Sequence, residues 1–146
     1  MSINNLYQIA GATMNAQTTR LNSIASNMAN ADVAAGSAEQ AFRAIKPVFA
    51  TIYQQQSPNF NQEFGAPQLL NASVKVAQMV ESDAPLEKRY QPDHPLANED
   101  GFIFLPNINM VEEMADMMSA SRSFESGVEI MNRAKSMQQG LLKLGQ

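Results

Sequence analysis

The chain has 146 residues, 45% of them apolar, a formal charge of −4 and no cysteine. That length suits one core, the acidic balance and the absence of any Lys/Arg run argue against nucleic acid as a main ligand, and the missing thiols exclude a disulfide framework or thiolate metal site. The start Met1-Ser2-Ile3-Asn4-Asn5-Leu6 lacks the basic and apolar regions of a cleavable signal, and no run reaches the roughly 18 apolar residues of a membrane span.

In chain order, the first element is a helix. Ile3, Tyr7, Ala10, Met14, Gln17, Leu21, Ile24 and Met28 follow alternating steps of four and three, the apolar seam of a coiled coil. The rest of this helix is polar without being charged: Arg20 is the only charge before Asp32, and amides and hydroxyls fill the remaining faces. Such a surface suits contact with other chains, and Asn15, Asn22, Asn27 and Asn30 are candidates for hydrogen bonds between subunits. Small residues around Ala34-Ala35-Gly36-Ser37 then end the helix.

The middle reads differently. Phe42 to Tyr53 is rich in β-branched and aromatic residues, with Pro47 restricting it to an edge strand or two short pieces. Residues 54–73 read as a loop, Val74–Val80 and Gly101–Leu105 as strands, and Ala84-Pro85-Leu86, Gln91–Pro95 and Asn98–Gly101 as turns. So few short strands make only a small sheet, and the middle is expected to lean on the helices or on neighbours.

Pro106 stops the last strand, and Asn109 with Glu112 forms the pattern of a capping box opening a second helix. Its seam runs through Met110, Met114, Met117, Ser121, Phe124, Val128, Met131, Lys135, Gln138 and Leu142, with acidic residues near its start and basic ones near its end, as the helix dipole favours. The two seams are expected to cover each other, Leu21, Ile24 and Met28 against Met117, Phe124, Val128 and Met131. A compact globule of this size measures about 38 Å across, whereas a continuous helix over 110–144 spans about 52 Å. Either the helix breaks at Gly127 or the subunit is elongated. The expected fold is mainly α with a small β-rich insert: residues 1–35 and 109–146 are long terminal helices paired as an antiparallel coiled coil, and 36–108 form the middle segment.

No phosphate loop, zinc-ligand spacing or nucleophile elbow is present. The single histidine, His94, stands between Asp93 and Pro95 and reads as a turn-shaping residue. Glu112, Glu113 and Asp116 make a weak metal set and a good match to the helix dipole. The chain is therefore read as a non-enzyme without cofactor or metal.

Ser26-Asn27-Met28-Ala29-Asn30-Ala31 resembles the amino-terminal motif of the bacterial flagellar axial proteins, the rod, hook and hook-associated family. Gln91–Asn98 leading to Gly101, then Pro106–Met114, Ser119–Phe124 and Met131–Lys135, are similar to a proximal rod component of that family. The resemblance implies a structural subunit of the torque-transmitting drive shaft, polymerising helically around an export channel. It also implies location in the basal-body rod of the periplasmic space, and type III export without a cleaved signal. The partners it implies are copies of the chain, the proximal rod proteins B and F, the distal rod protein G, the adaptor protein E that links rod to MS ring, and the export apparatus in transit. Nucleic acid binding and membrane insertion are not expected. A cytoplasmic coiled-coil adaptor or export chaperone is the alternative, and it would be a stable soluble dimer.

Overall fold

The computed structural model describes residues 3–54 and 71–144. Among the described residues, two long helices, α1 (Ile3–Asn30) and α2 (Met110–Leu144), enclose in sequence four strands: β1 (Ile45–Gln54), β2 (Asn71–Glu81), β3 (Glu87–Tyr90) and β4 (Phe102–Leu105). The fold is mainly helical with a β insert. Most of the loop expected over 54–73 lies outside the described residues, and its last part, from Asn71, already belongs to β2.

The helices pack against each other in antiparallel order. Asn27 donates to Glu113, Arg20 pairs with Asp116, and Met14 lies against Gly127. The buried line of α2 is Glu113, Ala120, Gly127 and Ala134, one residue every seven, with Met117, Phe124 and Met131 half-buried between them. On α1 the buried apolar residues are Ala10, Ala16 and Ile24, with Ala16 on the side that faces β1 and β2. This corrects the phase of the expected seam. Met114 is 51% exposed and outside the interface, and Ser121 and Val128 are likewise displaced by the smaller residue just before each. Leu21, Met28, Met110 and Val128 are only half-buried, while Ile24 is fully buried. The physical reason is distance: small side chains on the contact line let two helix backbones approach, and the long methionines are left as a rim.

Helix α2 continues through Gly127. A Cβ there would stand 2.8 Å from Met14 Cγ, so this position requires glycine for close approach. At its start Asn109 Oδ1 accepts the Val111 N–H at 3.0 Å. The reciprocal half of the capping box is not formed, and Glu112 stands exposed. The inward acid is instead Glu113, one residue on.

Strands β1 and β2 make an antiparallel pair with an irregularity between Val48 and Phe49, where Val48 faces Gln78 and Phe49 faces Val76. In a sheet of two strands both are edges, which is how Pro47 is tolerated inside β1, opposite Met79. One side of this hairpin leans on α1. Strands β3 and β4 form a second pair. The charged stretch Glu87-Lys88-Arg89-Tyr90 carries no strand signal of its own. Cross-strand contacts recruit it: Tyr90 meets Phe102 edge-on at 5.2 Å, and the Lys88 ammonium sits 3.9 Å from the Phe102 ring centre. Gly101, at φ +75°, turns the chain into β4 beside Tyr90 and Pro92.

Asn107 ties the insert to the start of α2. Its Oδ1 accepts the Ala44 N–H at 2.9 Å, and its Nδ2 donates to the carbonyls of Ser82 (3.1 Å) and Ala84 (2.8 Å). Asn107→Ala is expected to lower stability by about 1–2 kcal/mol, measured by urea unfolding. A Cβ at Gly11 meets nothing within 4 Å, so Gly11→Ala should raise stability by about 0.5–1 kcal/mol. Gly127→Ala should give no such gain in the same measurement.

Candidate assembly surface

Helix α1 is covered on one side by α2 and on another by β1 and β2. Its exposed positions are Asn4, Gln8, Gly11, Asn15, Thr18, Asn22, Ala25 and Ala29, again in steps of four and three. They form one narrow stripe about 38 Å long, without a single charge. Arg20, the one charged residue of this helix, is turned inward and bonds Asp116 Oδ1 at 2.8 Å. That pair is partly exposed and contributes up to ~1 kcal/mol. The resulting stripe of small residues, amides and one hydroxyl lets another helix approach closely and leaves groups for it to hydrogen-bond.

Of the four asparagines read as subunit contacts, Asn15 and Asn22 lie on this stripe. Asn30 is half-buried, and its Nδ2 donates to the Ser26 carbonyl at 2.8 Å, closing the end of α1. Asn27 is a correction. It is 1% exposed, with Nδ2 donating to the Ile45 carbonyl (3.0 Å) and Glu113 Oε1 (3.2 Å) and Oδ1 accepting the Ile45 N–H (2.9 Å). Its polar atoms face inward because β1 begins directly beneath the last turns of α1.

A second outward face lies on the first half of α2. Val111 is 75% exposed, Met114 51% and Met118 60%, spaced to share one side of the helix with Ala115. Sequence reading assigned Met114 to the inner seam and passed over Val111 and Met118, although their spacing of three and four was legible. Further on, every residue from Lys135 to Lys143 is exposed, including Met137, Leu141 and Leu142. On the hairpin, Val48, Tyr53 and Met79 are exposed as well.

His94 and the charged groups between α1 and α2 are committed to structure. His94 Nδ1 accepts the Leu96 N–H at 3.1 Å and its carbonyl accepts the Ala97 N–H, the local turn its neighbours suggested. A cleft of about 280 Å³ between α1, β1 and α2 is lined by Arg20, Asn27, Glu113 and Asp116, whose polar atoms bond one another. Among the described residues no group of acidic or histidine side chains is arranged to hold a metal ion, and no helix is long and apolar enough to cross a membrane.

The family model described as flagellar basal body rod FlgEFG protein C-terminal matches residues 99–144. The flagellar basal-body rod protein FlgC of Escherichia coli is 42% identical over 146 residues, covering the whole of both chains. That of Salmonella typhimurium is 41% identical over the same span. FlgC of Borreliella burgdorferi is 31% identical over 144 residues, 94% of this chain and 93% of that one. With such similarity from end to end, the chain belongs to the FlgC family of flagellar basal-body rod proteins.

Proposed function

We propose that the chain is a structural subunit of the flagellar rod, in its proximal part, and that its work is mechanical: copies stack helically around the export channel and pass torque through side-by-side helices. The observation that carries this reading is the uncharged exposed stripe of α1 in a chain whose relatives are rod proteins along its full length. A helix facing bulk water gains solubility from charge, and this one has turned its only arginine away from the stripe, toward Asp116 of α2.

Neighbouring subunits cover the stripe, with Asn15 and Asn22 hydrogen-bonding across the contact. Copies of the chain and other rod proteins, B and F beside it and G beyond, supply that cover, and the adaptor protein E joins the assembly to the MS ring. The two terminal helices form an antiparallel coiled coil in an elongated subunit lying in the periplasmic space, reached by type III export without a cleaved signal. In the lone subunit the outer ends of the two helices are loosely held against each other. Gln17 Oε1 is buried without a hydrogen-bond partner, which costs about 1–3 kcal/mol, and the contact line between the helices is built from alanine and glycine, which bury little area.

Thr18→Arg combined with Asn22→Arg tests the stripe. Both residues are exposed, so the isolated protein should keep its stability to within about 0.5 kcal/mol and its helical circular dichroism. In cells lacking the native copy, the variant should be exported but absent from isolated basal bodies, and swimming should stop. Normal swimming with wild-type amounts of the variant in basal bodies would contradict the assignment.

A further inference from the structure

We propose that Met14 is an oxidant-sensitive modification site: conversion of its thioether to the sulfoxide by a peroxide forces α1 away from α2 at Gly127, and reduction lets the helices close again. The inference concerns the single chain and stands or falls apart from the rod reading. It begins with the sulfur inventory. Ten methionines and no cysteine leave the thioether as the one sulfur group that a two-electron oxidant meets in this chain. Met79, Met114, Met118 and Met137 are exposed and oxidise first, and an oxygen added to any of them is solvated without disturbing the helix contact.

Met14 differs in place. It is half-buried, which admits a small oxidant, and it fills the notch that Gly127 opens in the buried line of Glu113, Ala120, Gly127 and Ala134. A Cβ on Gly127 would stand 2.8 Å from Met14 Cγ and 3.6 Å from its Sδ, so the thioether rests on bare helix backbone. Met117 and Met131, also half-buried, lie beside that line. A sulfoxide in the notch brings a polar oxygen against packed backbone, and the nearby hydroxyls have no proton left for it. Ser123 and Ser126 donate to the carbonyls of Ser119 and Arg122, and Thr13 and Thr18 donate to those of Ile9 and Met14. In the reaction the sulfur lone pair attacks one oxygen of hydrogen peroxide. The S–O bond forms as the O–O bond breaks, sulfur gives up two electrons, and the departing hydroxide takes the proton of the transferred hydroxyl and leaves as water. A methionine sulfoxide reductase reverses the step with two thiols, which end as a disulfide while the oxygen leaves as water. Those thiols come from outside, since the chain has none.

The test is a time course of the purified full chain in dilute hydrogen peroxide, with sulfoxides mapped by peptide mass spectrometry and amide hydrogen exchange read on the same samples. Sulfoxides at the four exposed methionines should leave exchange over residues 120–134 unchanged, whereas sulfoxide at Met14 should speed it at least about tenfold. Methionine sulfoxide reductases A and B with dithiothreitol should then restore both. Met14 left unmodified after the exposed four are fully converted and the peroxide is raised further overturns the proposal. So does Met14 sulfoxide with unchanged exchange, fast exchange that follows Met117 or Met131 instead, or exchange still fast once Met14 is reduced. Met14→Leu, a sulfur-free side chain of similar volume, should make residues 120–134 insensitive to peroxide, and a well-protected leucine variant that still loosens contradicts the assignment. Should the leucine variant exchange fast before any treatment, the wild-type time course and its reversal decide alone.

Discussion

The Asn27 side chain holds three elements in one place. An amide side chain can imitate a peptide group, and here it takes the place of a neighbouring strand for Ile45, accepting its N–H and donating to its carbonyl. The same nitrogen reaches Glu113 Oε1, so the end of α1, the beginning of β1 and the first turn of α2 meet at one residue. Burial makes the contact consequential. An unpaired acceptor or donor at this depth costs more than the hydrogen bond itself contributes, so a shifted helix register leaves Ile45 and Glu113 without partners.

Given that fixed point, the rest of the helix contact follows at intervals of seven. Counting from Glu113, the line reaches Ala120, Gly127 and Ala134, small enough to bring the backbones together. Close approach has a consequence for function. Methionines with no room on the contact line move to its edges or to the outside, as Met114 and Met118 do, and α1 is squeezed between α2 and the hairpin until one narrow stripe is left. The exposed uncharged and apolar faces are thus what the internal packing leaves over.

Periodicity made both helices legible in the sequence, and turn chemistry made the His94 and Asn98 turns legible, because each depends on neighbours close in the chain. Asn98 Oδ1, for example, accepts the N–H groups of Asp100 and Phe102. Long-range effects were not legible. Strand β3 exists through Phe102 and Phe104 across from it, and nothing within Glu87–Tyr90 announces a strand. The seam was placed one residue out at alternate positions because size favoured Met114 over Glu113 and Val128 over Gly127, whereas the helices select smallness. Asn27 was read as outward for a related reason: an isolated helix pattern assigns amides to the surface, and only the arrival of β1 turns this one into the interior. The family resemblance, carried by Ser26–Ala31 and Gln91–Met114, located the right assembly without revealing these contacts.

The central claim is that Asn27 fastens the helix pair to the insert. Native-state amide hydrogen exchange at Ile45, compared between the wild-type chain and Asn27→Ala, tests it most directly. The account predicts strong protection of the Ile45 N–H in the wild type and a loss of at least about tenfold in the variant, equal to roughly 1.4 kcal/mol, with protection falling also in α2 around Ala120. Unchanged exchange at Ile45 would contradict it and would make Asn27 a bystander in a fold held by the helices alone.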